Sequence, residues 1–119
     1  EETLPSTVAS NLYGDLDLLV LYAVESGGPV HGLNVMDAIE TRSGGEINVE
    51  DGALYRCLHR LERQGFLSAE WRMSEKRRRA KFYSITSAGK MEMERAHGAW
   101  ERHTRAVGMV LSPSGEVTP

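Results

Sequence analysis

The spacing of the apolar residues changes twice along this chain of 119 residues. They recur every three or four positions from Leu12 to Leu61, alternate with polar residues from Phe66 to Ile85, and return to the longer spacing after Thr86. The first spacing is that of one face of an α-helix, and alternation is that of a half-buried β-strand. The chain is therefore expected to place a β-hairpin between helical segments.

Glycine, serine and proline divide the helical part into segments. Gly27-Gly28-Pro29 and Ser43-Gly44-Gly45 are stop signals. For the third helix, Asn48 is the predicted N-cap, because Asp51 follows it at the capping-box spacing, and Gly65 is the predicted residue after the last turn. The four predicted helices cover residues 12–26, 31–41, 49–63 and 87–111.

Three helices followed by a two-stranded hairpin indicate a winged helix-turn-helix, with the third helix as recognition helix and the hairpin as wing. The expected fold class is mainly α (α+β), with a long C-terminal helix after the wing. A chain of 119 residues builds one modest core, so a separate catalytic or effector domain is not expected.

The charge of the whole chain and the charge of its parts predict different partners. A formal net charge of −3 argues against nucleic acid as a binding partner. Residues 50–90, however, hold ten Lys and Arg against five Asp and Glu, a net of +5, whereas the remainder holds four against twelve, a net of −8. Six cations and one anion lie between Arg72 and Lys81. An isolated basic run is usually a solvated face, but on a hairpin after a basic helix it predicts contact with the phosphates of double-stranded DNA.

Several other classes of function lack a motif. No apolar run approaches the roughly 20 residues of a membrane span, and nothing resembles a signal peptide, so the chain is expected to be cytoplasmic with no membrane partner. Cys57 is the single cysteine, and the histidines show no spacing that converges on a metal. No phosphate-binding glycine loop or activated nucleophile is recognisable. We therefore expect no enzymatic activity, no cofactor and no metal.

The third helix and the wing carry a family resemblance. Residues 52–62, GALYRCLHRLE, resemble the signature GSLYPxLHRLE of the PadR family of transcriptional regulators. Ser74-Glu75, residues 78–83, Thr86 and Ala88-Gly89 are similar to the wing sequence of that family. Further matches upstream are Asp17-Leu18-Leu19, residues 28–32 and Ser43-Gly44-Gly45, so the resemblance spans residues 14–111.

This resemblance implies a homodimeric winged-helix repressor of an inverted-repeat operator, often released by a small molecule. The single helix after the wing resembles the short-tailed subfamily, in which that helix is the main dimerisation element. Some such relatives bind flat aromatic compounds between paired tryptophans at the dimer interface, and Trp100 falls at the matching position. Ala53, Arg56 and Lys76-Arg77 depart from the family pattern, which puts the operator sequence and the geometry of the wing turn in question.

The residues expected to contact DNA lie on the third helix and the wing. Tyr55 is expected to face outward towards phosphate or a thymine methyl, or to pack on the wing as a rim residue. Arg63 has the alternative of pairing with Glu62. In contrast, Trp71 and Cys57 are predicted to be core residues. The predicted DNA contacts are Tyr55, Arg56, His59, Arg60, Arg63, Lys76, Arg77, Arg78, Arg79 and Lys81.

The last helix carries apolar residues at strictly alternating three- and four-residue spacing, which predicts a seam against a partner helix. Packing on the first helix of the same chain is the alternative for part of it. His97 and His103 flank Trp100, as effector contacts or pH-responsive groups, or simply as partly buried interface residues. The predicted seam and effector residues are Met93, Ala96, His97, Trp100, His103, Val107 and Val110.

The expected organisation is an N-terminal arm over residues 1–11, a winged helix-turn-helix DNA-binding domain over 12–86, a dimerisation helix over 87–111 and a flexible tail over 112–119. The predicted function is a homodimeric, DNA-binding repressor that is relieved by a small aromatic effector bound near the dimer interface. A winged-helix module that binds a protein or small ligand without reading DNA is the alternative, but it leaves the basic run from Arg72 to Lys81 without a role.

Overall fold

Four helices and a small sheet follow one another in the computed structural model of the protein, which describes residues 15–73 and 75–113. Helix α1 covers residues 15–25 of this part. The predicted arm, Leu12, Ser74 and the end of the predicted tail lie outside the described residues. The other elements are β1 (Val30–His31), α2 (Gly32–Arg42), α3 (Asp51–Arg63), β2 (Leu67–Met73), β3 (Arg79–Ile85) and α4 (Ser87–Leu111).

The ends of α3 show how the sequence delimits this helix. Its N-cap is Glu50, whose side chain accepts a hydrogen bond from the backbone N–H of Ala53. The prediction of Asn48 was therefore wrong: the Asn48 amide instead donates to the carbonyl of Gly45 in the preceding turn. At the other end, Gly65 has a φ of +84°, a backbone conformation that glycine adopts without strain, so its predicted role is confirmed.

The core lies where the inner faces of α1, α2 and α3 meet. Cys57 is buried with its α3 neighbours, as predicted, and behaves as a small apolar residue. The largest fully buried side chains are Val20, Leu21 and Val24 from α1, Val35 from α2, Leu54, Leu58 and Leu61 from α3, and Leu67 from β2.

The sheet has one strand more than the predicted hairpin. Strands β2 and β3 pair antiparallel from Leu67↔Ile85 to Met73↔Arg79, and β1 adds to the other edge of β3. The strand order is thus β1-β3-β2. Because β1 has only two residues, it carries no periodicity that a sequence could reveal. Its effect is to attach the start of α2 to the wing.

Helix α4 begins in the core and then leaves it. Thr86 caps the helix by accepting from the N–H of Gly89, and Met93 is buried in the core cluster. From residue 101 to residue 107 every side chain is exposed. None of the described helices is long and apolar enough to cross a membrane.

Candidate nucleic-acid interface

An open groove of about 890 Å³ lies between the β2–β3 hairpin and the N-terminal ends of α2 and α3. We call it the wing groove. Cationic and large apolar side chains line it together, including Leu33, Tyr55, Trp71, Met73 and Arg79. Such a mixture of positive charge with aromatic and apolar surface suits a polyanion that also offers sugars and bases.

The outward face of α3 carries the polar residues expected there. Tyr55, Arg56, His59 and Arg63 are exposed, whereas Leu54, Cys57, Leu58 and Leu61 on the other face are buried. Helix α3 is thus amphipathic: one face presents basic and aromatic side chains to solvent, and the apolar face packs in the core.

Tyr55 is held against the start of α2. A Cβ atom added to Gly32 would lie 2.7–2.9 Å from three atoms of the Tyr55 ring and hydroxyl group, closer than real Cβ atoms approach. Gly32 is therefore needed for the ring to lie on the backbone of α2. Tyr55 remains 43% exposed, so this contact positions it at the groove and leaves it accessible.

Arg60 is partly buried and pairs with a carboxylate of α1. Its guanidinium donates two hydrogen bonds to Asp17 on α1, at 2.8 and 3.3 Å. The same carboxylate accepts from the Cys57 thiol at 3.2 Å. Burial, followed by the negative charge of Asp17, raises the pKa of Cys57 well above its usual range, so the thiol stays protonated.

The wing supplies most of the basic charge. Lys76, Arg77, Arg78 and Arg79 are all exposed at or beside the turn between β2 and β3. The turn places Arg77 at a φ of +59°, in the left-handed region that glycine and asparagine tolerate better. The departure from the family pattern at Lys76-Arg77 is thus accommodated by a strained arginine.

Lys81 is further from the turn and is partly neutralised. Its ammonium donates to Glu62 on α3 at 2.8 Å, and this hydrogen bond raises the pKa of Lys81, which stays charged. Lys81 thereby ties the wing to α3.

Trp71 is not a core residue, so that prediction was wrong. It lies on the same face of β2 as Leu67 and Ala69, but its side chain is 55% exposed. Trp71 is exposed because the hairpin extends past the core. Two cations lie over its ring: the Arg79 guanidinium is 4.7 Å and the Lys81 ammonium 5.9 Å from the ring centroid.

A second, mostly apolar groove of about 570 Å³ lies between α1, α2 and α4, away from the wing. His97 forms one wall: its Nδ1 lies 2.8 Å from the Tyr22 hydroxyl oxygen on α1, and its ring centroid is 6.2 Å from that of Trp100. Leu19 and Arg42 also line this groove. Trp100 is 41% exposed at the rim.

The predicted seam divides into two halves. Met93 is buried in the core of its own chain, and Ala96 and His97 are half-buried near α1. The alternative packing on the first helix thus holds for this half. His103, Val107 and Val110 are exposed.

Sequence reasoning missed the carboxylates that organise the basic residues. Asp17 is 43 positions from Arg60 and Glu62 is 19 from Lys81, so no local pattern links either pair. Only the family resemblance drew attention to Asp17. Within residues 15–73 and 75–113, no three His, Cys, Asp or Glu residues are arranged to hold a metal ion.

Several solved structures share this architecture. A PadR family transcriptional regulator from Eggerthella lenta is 26% identical, with a TM-score of 0.74 over 92% of this chain and 94% of that one. A transcriptional regulator from Clostridium thermocellum is 19% identical, with a TM-score of 0.77 over 87% and 96%. A PadR-like regulator from Bacillus cereus is 22% identical, with a TM-score of 0.69 over 85% and 95%. The last two likenesses concern the fold alone.

Sequence comparison is specific about the family. No curated protein is significantly similar to the chain. The model of the PadR-like transcriptional regulator family, however, matches residues 20–95, which is more than half of the 119 residues and includes α2, α3 and the wing. Together with the winged-helix fold, this match leads to one conclusion: the chain belongs to the PadR-like family of transcriptional regulators.

Proposed function

We propose that the protein is a homodimeric repressor that binds an inverted-repeat operator through the outward face of α3 and the wing. The observation that carries this proposal is the wing groove, where exposed cations surround Tyr55 and Trp71 while the rest of the chain is acidic. In a dimer, two α3 helices would enter successive major grooves about 34 Å apart.

The proposal assigns different roles to the ten predicted DNA contacts. Arg56, His59, Arg63 and the cations of the wing turn are exposed and suited to contact DNA. Arg60 already donates to Asp17, so we propose that it mainly fixes α3 on α1. Lys81 joins the wing to α3 through Glu62 in the same way.

A mobility-shift experiment on the region upstream of the protein's own gene tests DNA binding. We expect the wild type to bind at low salt and to lose affinity steeply as salt rises, because each neutralised phosphate releases counterions. The variant Arg78→Ala/Arg79→Ala should lose binding and remain a dimer. The matched control is Arg102→Ala/Arg105→Ala, which removes two exposed cations from α4 and should bind as the wild type does. Absence of wild-type binding at low salt would contradict the proposal.

Dimerisation is proposed to use the distal half of α4. A helix of 25 residues is about 37 Å long, and one side of its exposed end carries the apolar side chains of Val107, Val110 and Leu111. An exposed apolar face at three- and four-residue spacing is the kind of surface that a second helix covers. Repression, as opposed to activation, is the role that the family resemblance favours, and in vitro transcription with and without the protein tests it.

Release by a small aromatic effector is proposed to involve Trp100 and the apolar groove beside it. The groove offers Tyr22, His97 and the Trp100 indole to a flat ligand. The test is to titrate planar aromatic compounds into the Trp71→Phe variant, in which Trp100 is the only tryptophan. We expect a change in its emission with active compounds, and those same compounds should release DNA. An unchanged signal across a broad panel would contradict this part of the proposal.

A further inference from the structure

The basic residues of α3 and the wing differ in the groups that contact their side chains. Arg60, Arg72 and Lys81 each donate to a carboxylate. Arg79 is different: its guanidinium carbon lies 4.7 Å from the centroid of the Trp71 ring, and within the described part of the chain no carboxylate forms an ion pair with it. Its charge therefore remains uncompensated by a carboxylate there, and an aromatic ring orients it.

A cation–π contact occupies no acceptor atom, so it leaves the donors of an arginine available. The guanidinium has five N–H donors, and the aromatic ring attracts its charge without offering them a carboxylate. A carboxylate, by contrast, uses the donors themselves, as Glu70 does with Arg72 at 2.6 Å. Arg79 thus keeps edges that can bind a phosphate in the bidentate manner.

The strand register places this pair in the wing groove. Trp71 lies opposite Lys81 and Met73 opposite Arg79, so these four side chains share one face of the hairpin. Nearer the hairpin base, that face contributes Leu67 to the core. Towards the turn it becomes accessible, with Met73 66% exposed, and both Trp71 and Arg79 line the groove.

We propose that Trp71 is a positioning residue for DNA binding: its indole ring holds the Arg79 guanidinium in the wing groove, where Arg79 binds a phosphate of the DNA backbone. This rests on the proposed function, since it requires DNA at the wing. The ring restricts the rotamers of a long side chain before binding, which reduces the entropy lost when the phosphate is bound. Tryptophan is the aromatic residue best suited to holding a cation in this way.

A double-mutant cycle tests the proposal. Binding to a random-sequence duplex at low salt is measured for the wild type, Trp71→Leu, Arg79→Gln and the double variant. We expect Arg79→Gln to weaken binding about tenfold and to lower the salt slope by about 1, as loss of one phosphate contact does. We expect Trp71→Leu to weaken binding by roughly three- to tenfold. The double variant should bind no more weakly than Arg79→Gln alone, because Trp71 acts through Arg79.

Three controls separate positioning from a general structural role. The same cycle with Arg63→Gln, an exposed α3 cation, should be additive. Trp71→Phe keeps a ring beneath Arg79 and should retain most of the affinity. Without DNA, the Arg79 Nε–H resonance should show a ring-current shift that is present in the wild type and lost in Trp71→Leu. Because this shift is measured on folded protein without DNA, it reports the contact between Trp71 and Arg79 directly.

The outcomes distinguish this proposal from the proposed function. If the wild type binds no duplex at low salt, both are wrong. If it binds DNA but the effects of Trp71→Leu and Arg79→Gln add, or the salt slope of Arg79→Gln is unchanged, only the positioning role is wrong.

Discussion

At the scale of single residues, carboxylates decide which basic side chains remain accessible to a polyanion. Asp17, Glu62 and Glu70 pair with Arg60, Lys81 and Arg72 and partly neutralise their charges. Counting basic residues along the sequence therefore overestimates the number that are available for DNA. The cations at the wing turn nevertheless remain exposed, so the surface predicted from the distribution of charge stays accessible.

Cys57 should be chemically silent in the folded protein. It is buried, and its raised pKa keeps the thiol protonated. We expect no reaction with a thiol-directed disulfide reagent at about pH 8 in the native state, and complete reaction after unfolding. Since Cys57 is the single cysteine, the signal is unambiguous. Rapid labelling of the native protein would contradict the prediction.

The same residue should make stability depend on pH in alkaline solution. Its folded-state pKa lies above the unfolded value of about 8.5, so its contribution is complete below that pH and is lost as pH rises through the folded pKa. The difference in the free energy of unfolding between wild type and Cys57→Ala should therefore shrink from pH 8 to about pH 10. Denaturant titrations measure it, and a constant difference would contradict the prediction.

Gly32→Ala should disturb the groove through Tyr55. The new methyl group would overlap the far end of the Tyr55 ring, which is 43% exposed and can swing away, so we expect a cost of at most about 1 kcal/mol of unfolding free energy together with weaker DNA binding. The matched control is Gly98→Ala in α4, where the new Cβ would lie no closer than 3.6 Å to Arg102. That variant should be about 0.5–1 kcal/mol more stable than the wild type. Denaturant melts of both variants make the comparison, and a stable Gly32→Ala variant with full DNA affinity would show that the contact is unimportant.

At the scale of elements, local rules predicted the helices well and the sheet less well. The predicted end of α3 at Arg63 and both ends of α4 agree with the structure, because apolar spacing and caps are short-range properties. Strand β1 was missed because a two-residue strand exists only through its pairing with β3. The alternation correctly predicted which face of the hairpin Trp71 lies on, but not how exposed its side chain is. Its burial depends on how far the neighbouring elements extend beneath the hairpin.

The wing turn should become more stable when its strain is removed. Arg77→Gly relieves a non-glycine residue of its positive φ and is expected to stabilise the protein by about 1 kcal/mol in thermal or denaturant unfolding. It should also weaken DNA binding, since a cation is lost. Lys76→Gly also removes one positive charge, but Lys76 does not have a positive φ. This variant should therefore weaken DNA binding similarly and should not stabilise the fold. Equal stability of the two variants would contradict this explanation.

At the scale of the whole molecule, the acidic remainder and the basic wing have complementary effects. The net of −8 outside residues 50–90 is expected to repel DNA, whereas the net of +5 is expected to attract it to α3 and the wing. The overall charge of −3 is thus compatible with a DNA-binding protein whose approach is oriented.

Assembly should depend on one side of the distal half of α4. Val107→Asp places a charge on the predicted seam and is expected to convert the dimer into a monomer and to reduce operator affinity by at least tenfold, because two half-sites are no longer held together. Light scattering with size-exclusion chromatography measures the change. Met109→Asp introduces the same charge on an apolar residue that helical geometry turns about 140° away from the seam, and it should remain dimeric. A dimeric Val107→Asp variant would show that the seam is wrongly placed.

The sequence by itself determined the order of the elements, the inner faces of the helices, the basic surface and the family, because these follow from periodicity, capping and short motifs. Only the tertiary structure decided which cations pair with carboxylates, such as Arg60 with Asp17 on α1. It also decided that the Trp71 ring lies outside the core, in contact with the Arg79 guanidinium. The physical reason is distance: Asp17 and Arg60 are 43 positions apart, and their hydrogen bond depends on how α1 crosses α3, which no local pattern specifies.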